Sequence, residues 1–378
     1  MKRLLVLLAL LLLAGCGSLT RSDYQRPLLS LPTQWGPATD TVSEYGWQRF
    51  GDPRLSRVIE QVLESNNDLA AAAITVQQAR VASGLTDTNM TPDVAVSGSA
   101  SNSKNTRRGT SAQENYSSGI TIGWELDLWG KLARAREQSE WEAVASEQDY
   151  HATVLTTMGT TAQLYWRIAL YNQQIRNQRD GLAISQQTVQ QVTSWFNAGK
   201  VGQLDVLQAQ QALLERENQW RTLVQQRQNT RNALALLLNR PAEQHADESP
   251  ALDANQQVPI AQKTPLRVIA QRPDIQAAES RLRAALAGYD ASRLQFYPAL
   301  SLDASLNAGS QIFSQWFRDP IRTIGGTLAL PFIQWNTQQL TVKQADLAVK
   351  QAAIAFRSTA YAALAEVDEE IGRASCRE

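Results

Sequence analysis

The chain is poor in the residues that carry most enzyme chemistry. Its 378 residues hold two histidines, two cysteines and three methionines. His151 falls in a long helical stretch and His245 in a proline-rich one, and no HExxH, CxxC, GxSxG or P-loop pattern appears. Neither a metal centre nor a nucleophile–base pair is indicated, so no cofactor and no enzymatic activity are expected. Cys16 and Cys376 leave no internal disulfide framework. Scarce methionine argues against a thioether relay for copper(I). Lysine plus arginine equals aspartate plus glutamate at 36 each, so no global field recruits nucleic acid.

The longest apolar run, Leu4 to Leu13, is too short to span a bilayer comfortably and follows Lys2 and Arg3. It reads as a signal peptide, residues 1–15. It ends in Leu13-Ala14-Gly15-Cys16, which resembles the bacterial lipoprotein cleavage box. Cleavage before Cys16 and its acylation are expected. Gly17, rather than Asp, follows the cysteine and favours the outer membrane over retention in the inner one.

What is present is a long internal repeat. With a step of 206 residues Asp68 meets Asp274, Pro92 meets Pro298, Gly119 meets Gly325, Thr121 meets Thr327 and Trp129 meets Trp335. Proline, glycine and tryptophan holding one offset imply a duplicated unit of helix, strand, strand and long helix, whose copies form two halves of one structure. The strands show period-two alternation. Tyr116, Ile120, Ile122, Trp124, Leu126 and Leu128 alternate with Ser117, Gly119, Thr121, Gly123, Glu125 and Asp127. Leu300, Leu302, Ala304 and Leu306 alternate with Ser301, Asp303, Ser305 and Asn307. Strands of about ten residues with one apolar and one polar face fit a transmembrane β-barrel, and a soluble sandwich shares the alternation. Four strands cannot close a barrel of about eight or more, and lipid tolerates no open edge, so several chains must contribute. On this reading Glu125, Asp127 and Asp303 face a water-filled lumen. Phe296, Tyr297, Trp129, Phe332 and Trp335 suit an interfacial girdle.

The helices exceed what a barrel needs. A spacing of seven links Val154, Thr161, Ile168, Ile175, Leu182, Val189 and Phe196, a seam about 63 Å long. Val206, Leu213 and Trp220 continue it after Gly199-Lys200-Val201-Gly202, so an antiparallel hairpin is expected. The second copy repeats the seam at Leu340, Leu347, Ile354 and Tyr361. The expected organisation is a lipidated extended segment (16–53), a first repeat (54–238), a connector (239–262) and an incomplete second repeat (263–371).

These residues resemble the TolC-like outer-membrane efflux family, in its lipoprotein branch of the OprM/NodT type. The resemblance runs from Cys16 to about Ile371. It rests on Tyr24-Gln25-Arg26-Pro27, Phe50-Gly51-Asp52-Pro53, Asn67-Asp68-Leu69, Leu126-Asp127-Leu128-Trp129-Gly130 and Arg272-Pro273-Asp274-Ile275. It implies an α+β membrane protein. Three chains, four strands each, would form a twelve-stranded transmembrane barrel continuous with a periplasmic α-helical coiled-coil barrel. It implies a homotrimer held in outer-membrane lipid of a Gram-negative bacterium, lipid-anchored at Cys16 and extending into the periplasm. Its partners would be a periplasmic adaptor (membrane fusion protein) and an inner-membrane RND-type transporter. Phe196, Asn197, Gly199, Val201 and Asp205 match the family's hairpin tip, where the adaptor docks; Trp195 stands where many relatives carry Arg.

The repeat places a second hairpin turn near residue 405 and its return near about 444. A longer protein is therefore expected, with a C-terminal truncation here. One codon set for Ile371 to Glu378, ATC GGA AGA GCG TCG TGT AGG GAA, coincides with a common sequencing adapter, so 372–378 read as non-native. The leading functional expectation is a passive channel exporting small molecules such as drugs. Protein secretion, metal efflux and a non-conducting structural coiled-coil lipoprotein are the alternatives.

Overall fold

The structure, a computed structural model, describes residues 21–29, 46–106, 111–252 and 270–375. The signal segment 1–15, the lipidation residue Cys16, residues 253–262 of the connector, 263–269 and 376–378 lie outside the described residues. The elements are α1 (Pro53–Ser65), α2 (Asn67–Thr88), β1 (Asp93–Ser103), β2 (Gln113–Leu126), α3 (Lys131–Asn197), α4 (Gln203–Leu237), α5 (Pro273–Leu294), β3 (Ala299–Ser310), β4 (Ile321–Ala329) and α6 (Trp335–Ser375). The 206-residue step recurs in them: α2 and α5 each have 22 residues and both ends differ by that step, as do the starts of β1 and β3. Helix α3 is longer than its heptad seam, at 67 residues or about 100 Å.

The chain divides into two compact units. One contains Trp35–Ile74 and Tyr150–Pro265. Its core forms where α1 presents Leu55, Val58, Ile59 and Val62, spaced i, i+3, i+4 and i+7, to Tyr165 and Ile168 of α3 and to Leu234 and Leu238. Each such buried aliphatic side chain stabilises the fold by about 1.5–3 kcal/mol. Pro53 at the first turn and the Asp52 carboxylate, which accepts from the Arg54 and Leu55 amides at 2.9 and 3.2 Å, start α1. The other Asp52 oxygen accepts the Tyr165 hydroxyl at 2.8 Å. Burial, and then this bond to a carboxylate, push the Tyr165 phenol well above its usual value near 10. The connector folds back after α4 because Arg231 holds Glu248 through two bonds of 2.6 and 2.7 Å.

The other unit contains Thr75–Asp149 and Leu266–Arg373, with the segment from Arg21 to Leu29. Helix α5 buries Ala277, Ala284, Ala287 and Ala291 beside Ile275, Leu282 and Leu294. Its charged side chains reach α3: Arg281 pairs with Asp149, and the Arg283 guanidinium lies 4.8 Å from the Trp141 ring. The N-terminal segment is tied down on α5. Asp290, only 2% exposed, accepts from the Ser22 amide at 2.8 Å and its hydroxyl at 2.5 Å, and Arg26 pairs with Glu279 at 3.0 Å. Burial first, and the Glu279 charge second, push the Tyr24 phenol up to about 12.

The strands form one antiparallel sheet in the order β1-β2-β3-β4. Within the single chain β1 and β4 are edges, each with one side unpaired.

Candidate channel lining and hairpin tip

The register sorts the side chains of all four strands onto two contrasting faces. Val94, Ile122, Ala304 and Ile324 form one cross-strand row, and Val96, Ile120 and Leu306 belong to the next. Trp124 opposes Leu302, and Leu126 opposes Leu300, which opposes Leu328. Directly opposed residues share a face, so the apolar residues of both copies lie together. That face is exposed: Val96 is 76% and Ile324 73% accessible. The opposite face carries serine, threonine, glycine and acid. Ser99 and Ser117 hydroxyls hydrogen-bond across it at 2.8 Å, and the Thr327 hydroxyl donates to Asp303 at 3.5 Å.

The structure puts Asp303 and Glu125 on the polar face, with Glu125 paired to Lys131 at the start of α3. A further acid joins them. Asp93 opposes Gly123, which opposes Asp303, so two carboxylates share one row with a glycine between them. Counting back by twos from Ser97 finds Asp93, whereas alternation read forward from Val94 misses it. No strand residue on this face is cationic among the described residues.

Asp127 has a different place from the one alternation gives it. Strand β2 ends at Leu126, and the Asp127 carboxylate accepts the Leu132 and Ala133 amides at 3.0 and 2.8 Å. The reason is local. Gly130 occupies the N-cap position of α3 with φ +81 and has no side chain to offer the first helical turn. Asp127 reaches over the turn and satisfies the second and third helical N–H groups in its stead.

The hairpin tip gathers Phe196, Asn197, Gly199, Val201 and Asp205 around one turn between α3 and α4. Lys200 N–H bonds the Trp195 carbonyl and Gly199 N–H the Phe196 carbonyl, both at 2.9 Å, with Gly199 left-handed at φ +70. Gly202 then opens α4. Asp205 accepts its amide at 2.9 Å, the half of a capping box in which a glycine can take part. Trp195, Phe196, Leu204 and Leu207 remain exposed around the turn. Trp195 and the two leucines join the residues expected there.

A family model described as "Outer membrane efflux protein" matches residues 58–240 and 265–373. The chain belongs to that family. Toxin and drug export protein A of Aggregatibacter actinomycetemcomitans is 28% identical to this efflux protein, over 94% of this chain and 78% of its own. Probable outer membrane lipoprotein SilC of Salmonella typhimurium is 25% identical, over 98% and 82%. Cation efflux system protein CusC of Escherichia coli is 26% identical, over 98% and 82%. The crystal structure of CusC superposes with a TM-score of 0.81 at 25% identity, covering 93% of this chain and 82% of CusC. This efflux protein is therefore an outer-membrane efflux channel component and not an enzyme. No described helix is long and apolar enough to cross a membrane.

Proposed function

We propose that three copies of this chain close a twelve-stranded barrel in the outer membrane, the β1 edge of one protomer pairing with the β4 edge of the next. The observation that carries this is the segregation of the sheet, with Arg322 and Glu114 the charged exceptions on the apolar face and Ile321 the large apolar one on the polar face. It has an exposed apolar face, a polar face bearing Asp93, Glu125 and Asp303, and two unpaired edges. A repeated head-to-tail pairing that closes on itself removes every edge. The apolar face then meets lipid and the polar face lines an aqueous lumen. The exposed α6 seam of Leu340, Leu347 and Ile354 is a stripe that helices of neighbouring protomers would cover.

In this assembly the protein is the passive outer-membrane channel of a tripartite system, exporting small molecules such as drugs. Cys16 carries the lipid anchor. The tip around Phe196, Asn197, Gly199, Val201 and Asp205 meets a periplasmic adaptor, which couples it to an inner-membrane RND-type transporter. Asp205 serves the tip by capping α4. The duplicated organisation, 54–238 and 263–371 around a connector, gives each protomer two strand pairs. Cation export is the second reading, favoured by the likeness to CusC and SilC.

Expression in a channel-deficient strain tests the proposal. Restored tolerance to a panel of drugs, with outer-membrane localisation, is the expected outcome. Unchanged drug sensitivity despite correct localisation contradicts it, and rescue confined to metal salts selects cation export.

A further inference from the structure

Arg322, the second residue of β4, stands on the apolar face of the sheet, opposite Leu306 and in the row of Ile120 and Val96. It is the one cation on that face of the four strands among the described residues. No carboxylate within the chain is hydrogen-bonded to it or paired with it in an ion pair among the described residues. Closing the sheet with a second copy sets β1 beside it, which contributes only Val94, Val96, Gly98, Ala100 and Asn102 to that face. The one strand carboxylate there among the described residues, Glu114 of β2, accepts the Tyr116 hydroxyl at 3.0 Å.

The position is at the loop end of the β3–β4 hairpin, one row from its last pair, Asn307 and Ile321, and four residues along β3 from Ser310, which opposes Tyr116. Helices α2, α3, α5 and α6 all join the strands at the other end, beside Asp93, Leu126, Ala299 and Ala329. At the loop end the connection between β3 and β4 brings aromatic rings onto the same apolar face. Phe313 and Trp316 each lie 5.4 Å from the Tyr116 ring, and Phe317 stacks on Trp316 at 5.3 Å and 8°. Phe313 and Phe317 are nevertheless 66% and 70% exposed, and the buried Trp316 indole N–H finds no acceptor among the described residues.

An exposed aromatic shelf on a lipid-facing surface belongs at the headgroup level. An arginine there is costly at the bilayer midplane and nearly free at the interface, where its planar fork matches a phosphate. With the helices on the periplasmic side, the loop end lies in the outer leaflet, whose lipid in a Gram-negative bacterium is a phosphorylated, acylated disaccharide rather than a phospholipid. We propose that the loop end of the apolar face is a binding surface for this phosphorylated glycolipid, with Arg322 pairing a headgroup phosphate and the aromatic shelf of Tyr116, Phe313, Trp316 and Phe317, about 13 Å further along the strands, packing on the same lipid. This rests on the outer-membrane barrel reading above.

Native mass spectrometry of the detergent-extracted protein tests it, with bisphosphorylated lipid A, the same lipid enzymatically dephosphorylated, and phosphatidylglycerol as probes. The unmutated protein should bind bisphosphorylated lipid A about tenfold more tightly than either of the others, and Arg322→Gln should bring that preference within about twofold. Arg136→Gln, on the first turns of α3, should leave it intact. Equal binding of the dephosphorylated lipid, equal binding of phosphatidylglycerol, or a full preference in Arg322→Gln each overturns the proposal. The probe comparison needs no mutation, so a variant that fails to assemble does not decide the matter. Fractionation and oligomer mass of the same preparation separate the two readings. A trimer from the outer membrane without lipid preference sinks only this inference, whereas a chain absent from that membrane sinks the barrel itself.

Discussion

Asp93 and Asp303 stand in one row across the polar face of the sheet, one on each copy of the repeat, with Gly123 between them. In the proposed trimer that row would become a ring of carboxylates unopposed by any strand cation among the described residues. Such a ring favours cations over anions in a pore. The double variant Asp93→Asn, Asp303→Asn should lower the cation-to-anion permeability ratio by about threefold or more, read as a reversal potential in a salt gradient across a planar bilayer. Single-channel conductance in the absence of the gradient should change less.

Asp127 serves the start of α3 through two amides, and its effect should appear in stability rather than conduction. Asp127→Ala should cost about 1 kcal/mol, the ordinary value of a lost N-cap. Thermal melting checks it, with Ser and Asn at the same position recovering most of the loss.

Tyr165 and Asp52 tie α1 to α3. A phenol whose folded value is raised contributes stability that is fully present below its unfolded value near 10 and is lost as pH rises above it. Chemical denaturation between neutral pH and strongly basic pH should therefore show a decline that Tyr165→Phe makes shallower. At neutral pH that variant should lose about 1.5–3 kcal/mol, the range for a hydrogen bond to a charged group.

Gly199 holds the tip at φ +70, and a methyl group added there would meet no atom within 4 Å. Gly199→Ala thus meets only backbone strain, about 1–2 kcal/mol. Adaptor pull-down should weaken in this variant if the turn shape is what the adaptor reads, and Asp205→Ala should act in the same direction through the α4 cap.

The sheet faces were legible in the sequence because a pleated strand obeys period two whatever its partners are, and a 206-residue step fixed which strands correspond. Asp127 was misplaced for the same reason. Alternation runs on past Leu126, and only the two helical amides reveal that the strand has ended. The first part of α3, from Lys131 to Thr153, lies outside the heptad seam, and there Trp141 and Asp149 meet Arg283 and Arg281 of α5. The Ser22–Asp290 and Tyr165–Asp52 contacts join residues more than a hundred positions apart, and no local pattern marks either partner.

The central claim is that one face of the sheet meets lipid while the other meets water. Single cysteines along β2, in a Cys376→Ser background with Cys16 retained, test it most directly in native outer membranes. A membrane-impermeant thiol reagent should label Ser117→Cys, Thr121→Cys and Gly123→Cys and spare Ile120→Cys, Ile122→Cys and Trp124→Cys, an alternation that detergent denaturation abolishes. Equal labelling of the odd and even positions in intact membranes would contradict the account.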